Sequence, residues 1–154
     1  MHSNINKAGP LEAASIIRQL VEDGVLDASV AKRVRPNPPR IGDKIQHVLN
    51  YLAAEQLPDA SRSGRVLTMD RLLEWLSASC GQLPQRIDPL KIDVPAVTEV
   101  MSFAFAQRHR ILAVAVSKQE VVIAGSEPFV DAWEKDLQQV VRRSIRRVLA
   151  DPEA

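Results

Sequence analysis

Apolar residues recur at helical spacing at the start of the chain. Within residues 11–24, LEAASIIRQLVEDG, the stripe consists of Leu11, Ala14, Ile17, Leu20 and Val21. Steps of three and four place such positions on one face of an α-helix. Gly24 fits the C′ position, where the left-handed backbone conformation favours glycine. A shorter helix is predicted in LDASVAKRV, with Asp27 as N-cap, before three prolines within residues 36–39 stop it.

Two further amphipathic stretches complete the first half. Residues 41–56 carry apolar side chains in helical register, and residues 69–79, MDRLLEWLSAS, form the next stretch with Thr68 as its cap. The turn-forming residues of LPDASRSGR separate these two stretches. We therefore expect residues 1–80 to form a helical N-terminal subdomain.

The pattern changes after Gly81. A short extended segment in QRIDPLKID precedes a predicted helix through AVTEVMSFAFAQRH, with Pro95 in its first turn. The β-branched runs ILAVAV and EVVIAG, three residues apart, predict a hairpin, and a helix in VDAWEKDLQQVV and a strand in SIRRVLA follow. The inward face of this last helix is predicted to carry Val130, Trp133, Leu137 and Val140. The predicted fold class is α+β, a helical N-terminal subdomain followed by a small β-α-β-β-α-β subdomain over residues 86–154.

Composition narrows the classes of partner. Apolar content of 45% and charged content of 25% are ordinary for a globular protein. The formal net charge is only +1 and aromatic residues make up 4%, so the chain offers neither the field nor the stacking surfaces of a nucleic-acid binder. No apolar run approaches the ~18 residues of a membrane span. We expect a cytoplasmic protein with no nucleic-acid binding and no direct membrane insertion, and with Cys80 as a buried structural thiol.

The sequence lacks the usual catalytic patterns. It contains no Walker A motif G-x-x-x-x-G-K-[ST], no G-x-G-x-x-G and no G-x-S-x-G. His2, His47 and His109 lie on different predicted elements, without the spacing of metal ligands. We therefore predict no catalytic residue, no metal site and no cofactor for this chain.

One turn invites a comparison with phosphate sites. The segment GSEP, residues 125–128, follows a predicted strand and precedes a helix, and amides at a helix N-terminus bind anions. Glu127 places a negative charge at that point, which repels phosphate and suits the helix dipole. The turn is therefore interpreted as a corner of the fold that sets the helix of Trp133 against the sheet.

A basic cluster near the end of the chain has two interpretations. It contains Arg142, Arg143, Arg146 and Arg147. If this segment is a strand, Arg146 and Arg147 point to opposite faces. Charged side chains that protect an exposed strand edge are the simpler explanation, and docking to an acidic partner is the other. By charge and position, the candidate partner-binding residues are these four together with Arg108 and Arg110.

Several motifs then occur in a fixed order between residues 86 and 153. They are RIDPLKID, FAQRHRILAVAV, VVIAGSEP, DAWEKDL and IRRVLADPE. In this order they resemble the N-terminal domain of the type II secretion and type IV pilus assembly ATPases, general secretory pathway protein E above all. The helical half resembles that family only loosely, mainly at QLVEDGVLD.

The resemblance implies a non-catalytic docking and regulatory domain. In this family a P-loop domain further along the chain binds ATP and Mg and forms a hexameric ring. ATP and Mg are therefore expected only in that downstream domain, and the parent protein is expected to be an ATPase. The N-terminal domain ties the ring to the cytoplasmic domain of an inner-membrane protein, the L component. The implied location is cytoplasmic and peripheral to the inner membrane.

Cyclic di-GMP sensing is the alternative function. Some relatives bind this nucleotide through a motif that begins with Arg-Leu-Gly and ends in Gln. Residues 40–56, RIGDKIQHVLNYLAAEQ, keep Arg40, Gly42 and Gln56 but lack the inner glycine, and QLVEDGVLDASVAKRV lacks the leading Arg-Leu-Gly. Helical architecture is the preferred explanation of both stretches, and Arg40, Gly42 and Gln56 are the residues that the alternative would use.

Overall fold

The protein is described by a computed structural model that covers residues 9–35, 38, 40–41 and 44–152. The chain divides into two compact units, Met1–Ser79 and Cys80–Ala154.

Helices dominate the first unit. They are α1 (Ala13–Glu22), α2 (Ala28–Ala31), α3 (Val48–Ala54) and α4 (Met69–Cys80), and a two-residue antiparallel pair, β1 (Arg40–Ile41) with β2 (Lys44–Ile45), precedes α3. The fully buried aliphatic side chains of this unit are Ile16, Leu20, Leu26, Leu49, Leu52, Leu67, Leu72 and Leu76. The apolar stripes of α1, α3 and α4 supply most of this core.

The third helix is shorter than the sequence predicted. Its apolar pattern begins at Ile41, whereas α3 begins at Val48. Residues 40–41 pair instead with residues 44–45, and His47 caps the helix by accepting a hydrogen bond on Nδ1 from the Leu49 amide at 3.1 Å. A side-chain acceptor at the N-cap fixes a helix start more strongly than a continuing apolar pattern does.

Asp23 and Asp59 organise polar contacts within the first unit. Asp23, at the C-terminus of α1, accepts hydrogen bonds at 2.8 Å from Gln19 and from the indole of Trp75 on α4. Asp59 is 5% exposed and accepts from the amide and hydroxyl of Ser61 and from Arg71 Nε at 3.1 Å. The contact between Asp23 and Trp75 connects the end of α1 to α4, and the contacts of Asp59 connect the loop before α4 to the first turn of that helix.

The second unit combines three helices with a three-stranded sheet. A 3-10 turn (Pro89–Lys91) precedes α5 (Val94–Val100), α6 (Phe103–His109), β3 (Ile111–Val116), β4 (Glu120–Gly125), α7 (Ala132–Val141) and β5 (Ser144–Leu149). The strand order is β3-β4-β5, antiparallel between β3 and β4 and parallel between β4 and β5. The predicted α+β class, a helical part followed by a small mixed part, is confirmed.

Two predicted elements of this unit differ from the structure. The strand expected in QRIDPLKID does not form, and just before it Pro84 makes a single parallel bridge with Leu149 through the Gln85 amide and the Leu83 carbonyl. The predicted helix over residues 96–109 breaks in two. Met101 adopts an extended conformation, and the Ser102 hydroxyl accepts a hydrogen bond from the Phe105 amide, which starts α6 afresh.

The sheet carries apolar clusters on both faces. One joins side chains of α5 and α7 to the sheet and contains Val97, Val100, Met101, Ile111, Ala113, Val121, Ile123, Trp133, Leu137 and Val141. The other contains Val122, Ala124, Val148 and Ala150. Trp133 and Leu137 face inward as predicted, but Val140 is 70% exposed and Val141 is buried in its place. Steps of four from Trp133 lead to Val141, which explains the difference.

Candidate functional site

The corner between β4 and α7 is held by Arg147. Its Nη2 donates to the backbone oxygens of Glu127 at 3.1 Å and Val130 at 2.9 Å. The guanidinium carbon lies 4.9 Å from the ring centroid of Trp133, which is 1% exposed. Two hydrogen bonds and a cation–π contact therefore fix the chain that leads from the sheet into α7.

This corner offers no room for a phosphate. The cavity beside it, lined by Arg110, Gly125, Glu127, Arg147 and neighbouring side chains, measures about 10 Å³. That volume holds about one water molecule. Burial lowers the pKa of Arg147, nearby Glu134 and Asp131 act in the opposite direction, and the guanidinium stays protonated at neutral pH. The interpretation of GSEP as a structural corner agrees with this geometry.

Neighbouring arginines on β5 point in opposite directions, as the strand pattern predicts. Arg146 is exposed and forms a salt bridge with Glu120 at 3.4 Å, whereas Arg147 is half-buried against Trp133. Arg146 is therefore accessible to a partner, whereas Arg147 contacts the protein's own corner between β4 and α7.

The sheet register separates the remaining candidate arginines. Ile111 lies beside Gly125, and Gly125 beside Leu149, so Arg108 and Arg110 lie at the end of the sheet where β4 and β5 finish. Arg142 and Arg143 precede β5 and lie at the opposite end. Six residues at about 3.3 Å each put these two ends roughly 20 Å apart. The six arginines therefore do not form one surface.

A compact basic group remains at the second of these ends. Ser144 donates from its amide to Gln119 O at 3.1 Å, which brings Arg143 next to the β3–β4 turn that contains Lys118. We call the group Lys118, Arg142, Arg143 and Arg146 the basic end. Sequence reasoning did not include Lys118, although its place in a hairpin turn next to a paired strand is a signal that could have pointed to it.

The residues of the nucleotide alternative are only partly described. Arg40 is the first residue of β1, and Gln56 follows α3, exposed and with a φ of 51°. Gly42 lies outside the described residues. The geometry of a site formed by these three residues therefore stays a prediction.

Other reactive groups have ordinary structural explanations. Burial raises the pKa of the Cys80 thiol, which keeps it protonated and unreactive at neutral pH. His109 contacts the ring of Phe105 with a centroid distance of 4.5 Å. Across the described ranges, no group of three or more His, Cys, Asp or Glu side chains is placed to hold a metal ion. Within the same residues, no helix is long and apolar enough to cross a bilayer.

Comparison with known proteins places the second unit in a domain family. Residues 82–154 match the MshEN domain. The type IV pilus assembly ATPase TfpB of Acinetobacter baylyi is 31% identical over 138 residues, which cover 89% of this chain. The chain spans about a quarter of the length of that relative, 24%.

A solved structure shares the fold at low sequence identity. The structure of MshE with cdg superposes with a TM-score of 0.52 at 19% identity and covers 90% of this chain and 91% of that one. The N-terminal domain of XpsE gives a lower TM-score of 0.47 at 13% identity, with coverages of 88% and 84%.

The family match agrees with the motifs RIDPLKID and VVIAGSEP, from which the resemblance was drawn. The recognition made from the sequence is confirmed: residues 82–154 match the MshEN domain, and the chain is similar to a type IV pilus assembly ATPase.

Proposed function

We propose that this chain is a docking and regulatory domain that links a hexameric secretion ATPase to the cytoplasmic domain of the inner-membrane L component. The observation that carries the proposal is the MshEN match over residues 82–154, which coincides with the compact unit Cys80–Ala154. The similarity to a type IV pilus assembly ATPase supports the ATPase as the parent protein. In this proposal the chain lies at the cytoplasmic side of the inner membrane only through its partner.

The proposed role requires a well-packed structure from these residues and no catalytic group. The ATP-hydrolysing domain, with its ATP and Mg, belongs to the part of the parent protein outside this chain. A linker between a motor and a membrane-anchored partner must transmit position, and a well-packed unit does so better than a flexible one. The contacts of Arg147 with Glu127, Val130 and Trp133 support this role, because they fix the connection between β4 and α7.

Titration calorimetry with the purified cytoplasmic domain of the L component tests the docking role. We expect saturable binding with a Kd of about 10–100 µM or tighter. The same preparation should release no phosphate from ATP above the buffer background. Absence of binding at about 100 µM, with both proteins folded by circular dichroism, would contradict the docking role.

Cyclic di-GMP sensing is a second candidate, favoured by the fold shared with the structure of MshE with cdg. Here the nucleotide would bind through Arg40, Gly42 and Gln56, and its binding would adjust the link between motor and partner. Titration with cyclic di-GMP should then show saturable binding that is lost in Arg40→Ala and kept in Arg33→Ala, which removes an exposed arginine of the same unit. Equal binding by both variants would exclude this site.

A further inference from the structure

The basic end concentrates positive charge that the composition conceals. Lys118, Arg142 and Arg146 are exposed and Arg143 is half-buried, and Arg146 forms a salt bridge with Glu120. The basic end and Glu120 together carry a net charge of +3, while the whole chain carries +1, so all other residues sum to −2. A near-neutral net charge therefore does not exclude a local concentration of positive charge at this end of the sheet.

Hydrogen bonds fix the backbone that carries these cations. Arg142 caps α7 with a φ of 54°, and its amide donates to Gln138 O. The Gln138 side chain donates from Nε2 to Arg143 O at 2.6 Å. On the other side, the turn of Lys118 is closed by a hydrogen bond from Ser117 N to Glu120 O at 2.8 Å. A preorganised surface loses less entropy when it binds a partner.

An apolar side chain accompanies the charges. Val140, in the last turn of α7 and two residues before Arg142, is 70% exposed. The salt bridge between Arg146 and Glu120 leaves both side chains 40–51% exposed, so a partner carboxylate can compete for Arg146 at little cost. An exposed aliphatic residue two positions from an exposed arginine gives the combination of apolar and charged groups found at protein interfaces, where apolar contact gives affinity and charge gives orientation.

The opposite end of the sheet lacks this asymmetry. Arg108 and Arg110 lie there, and so do Glu127, which follows β4, and Asp151, which follows β5. Arg147 also reaches this end, where it donates to Glu127 O and Val130 O, so the two acids offset two of three arginines and leave a charge of +1 against +3 at the basic end. The net charge therefore distinguishes the two ends of the sheet, although the sequence gives no reason to separate their arginines.

We propose that the basic end is a docking surface for an acidic protein segment that contributes an aliphatic side chain to Val140. This inference rests on the proposed docking function and names the surface and the chemistry of its occupant. No aromatic side chain belongs to the basic end, so it lacks the stacking contacts of a single-stranded nucleic-acid site. An acidic protein segment uses both the charges and Val140.

A comparison of two charge reversals in the full chain tests the inference. The first variant is Lys118→Glu with Arg142→Glu, and the second is Arg108→Glu with Arg110→Glu. Arg142 and Arg110 are matched, because both are exposed, both cap a helix and their φ values are 54° and 53°. The probe is a short fluorescein-labelled peptide with Glu and Leu at helical spacing, measured by fluorescence anisotropy beside a twin with Gln for Glu.

We expect the acidic peptide to bind the unmodified chain and the Gln twin to bind at least about tenfold more weakly. The Lys118→Glu, Arg142→Glu variant should lose about tenfold or more in affinity, and the Arg108→Glu, Arg110→Glu variant less than about twofold. Raising the salt from about 50 to about 300 mM should weaken binding. Val140→Ala should weaken binding without changing its salt dependence.

Four results would overturn the inference: no peptide binding, equal losses in the two variants, no effect of Val140→Ala, or preference for anionic phosphatidylglycerol vesicles over the peptide. The proposed function is judged separately, with the cytoplasmic domain of the L component as ligand. If that domain binds both charge-reversal variants equally, the docking function stands and the basic end is not its surface. If it does not bind the unmodified chain while the peptide does, the surface stands and the proposed function fails.

Discussion

At the scale of single residues, Arg147 and Asp59 show how buried charge is used in this protein. Asp59 is buried and Arg147 is half-buried, and both have named partners: two carbonyls and a ring for Arg147, Ser61 and Arg71 for Asp59. Removing one member of such a group leaves the others desolvated and unpaired, which costs more than the lost contact itself. Each of these residues therefore gives a measurable prediction.

Arg147→Ala should lower the free energy of unfolding by about 1–3 kcal/mol, because two buried carbonyl contacts and the cation–π contact with Trp133 are lost. Arg147→Lys should recover only part of this, since an ammonium lacks the planar fork that reaches both carbonyls. Arg146→Ala, which removes an exposed salt bridge from the adjacent position, is the matched control and should change stability by less than about 0.5 kcal/mol. Urea denaturation measures all three, and equal effects of Arg147→Ala and Arg146→Ala would show that the corner contacts are not stabilising.

Asp59 should make stability depend on pH in the acid range. Burial raises the pKa of Asp59, but hydrogen bonds from Ser61 and the charge of Arg71 outweigh it, so the pKa lies below its ordinary value of 3.8. A carboxyl with a depressed folded-state pKa contributes stability that is fully present above the unfolded pKa and is lost as pH falls through the folded pKa. The stability difference between the unmodified chain and Asp59→Asn should therefore be constant near neutral pH and shrink below about pH 4.

Thermal unfolding from pH 7 down to pH 3 measures that difference. Asp136→Asn, which removes an exposed carboxylate on α7, is the control for the loss of one negative charge. A difference between the unmodified chain and Asp59→Asn that stays the same at every pH would refute the assigned role of Asp59.

At the scale of elements, local hydrogen-bond chemistry sets boundaries that apolar periodicity does not. The apolar pattern runs without interruption from Val97 to Phe105, yet the Ser102 hydroxyl ends one helix and starts another. Likewise, His47 starts α3 seven residues later than its apolar pattern begins at Ile41. In both cases a polar side chain sets the start of the helix by accepting from a nearby amide, two residues on for His47 and three residues on for Ser102.

Ser102→Ala should lower the free energy of unfolding by about 1 kcal/mol, because the Phe105 amide loses its acceptor at the start of α6. Ser102→Asn should restore most of the loss, since asparagine is an equally good N-cap. Ser63→Ala, at an exposed position in the loop before α4, is the control. If Ser102→Ala stabilises the protein, the break between α5 and α6 has another cause.

At the scale of the whole molecule, the division into two units has consequences for stability. The three-stranded sheet, both apolar clusters on its faces and the MshEN match all lie within Cys80–Ala154. Each unit is small, and domains of this size are only marginally stable on their own. The basic end also lies entirely in the second unit.

A fragment of residues 80–154 should fold by itself and unfold cooperatively, because it contains the sheet and the clusters that bury it. Circular dichroism should show mixed helix and strand with a sigmoidal melt. Arg147→Ala in the fragment should lower Tm, since all its partners are present. A fragment without a cooperative transition would show that the second unit depends on residues before Cys80 for its stability.

Periodicity and ordered motifs are local properties of the chain, so the sequence predicted the α+β class, the hairpin of β3 and β4, the strand character of residues 144–149 and the resemblance to the secretion and pilus ATPases. It also placed Arg146 and Arg147 on opposite faces, since side chains alternate along any strand. It did not determine that Val141 rather than Val140 is buried, that Pro84 makes only one bridge, or that the candidate arginines lie at two ends of a sheet. Those features depend on strand register and helix phase. Packing between residues distant in sequence sets both, so they are visible only in the folded structure.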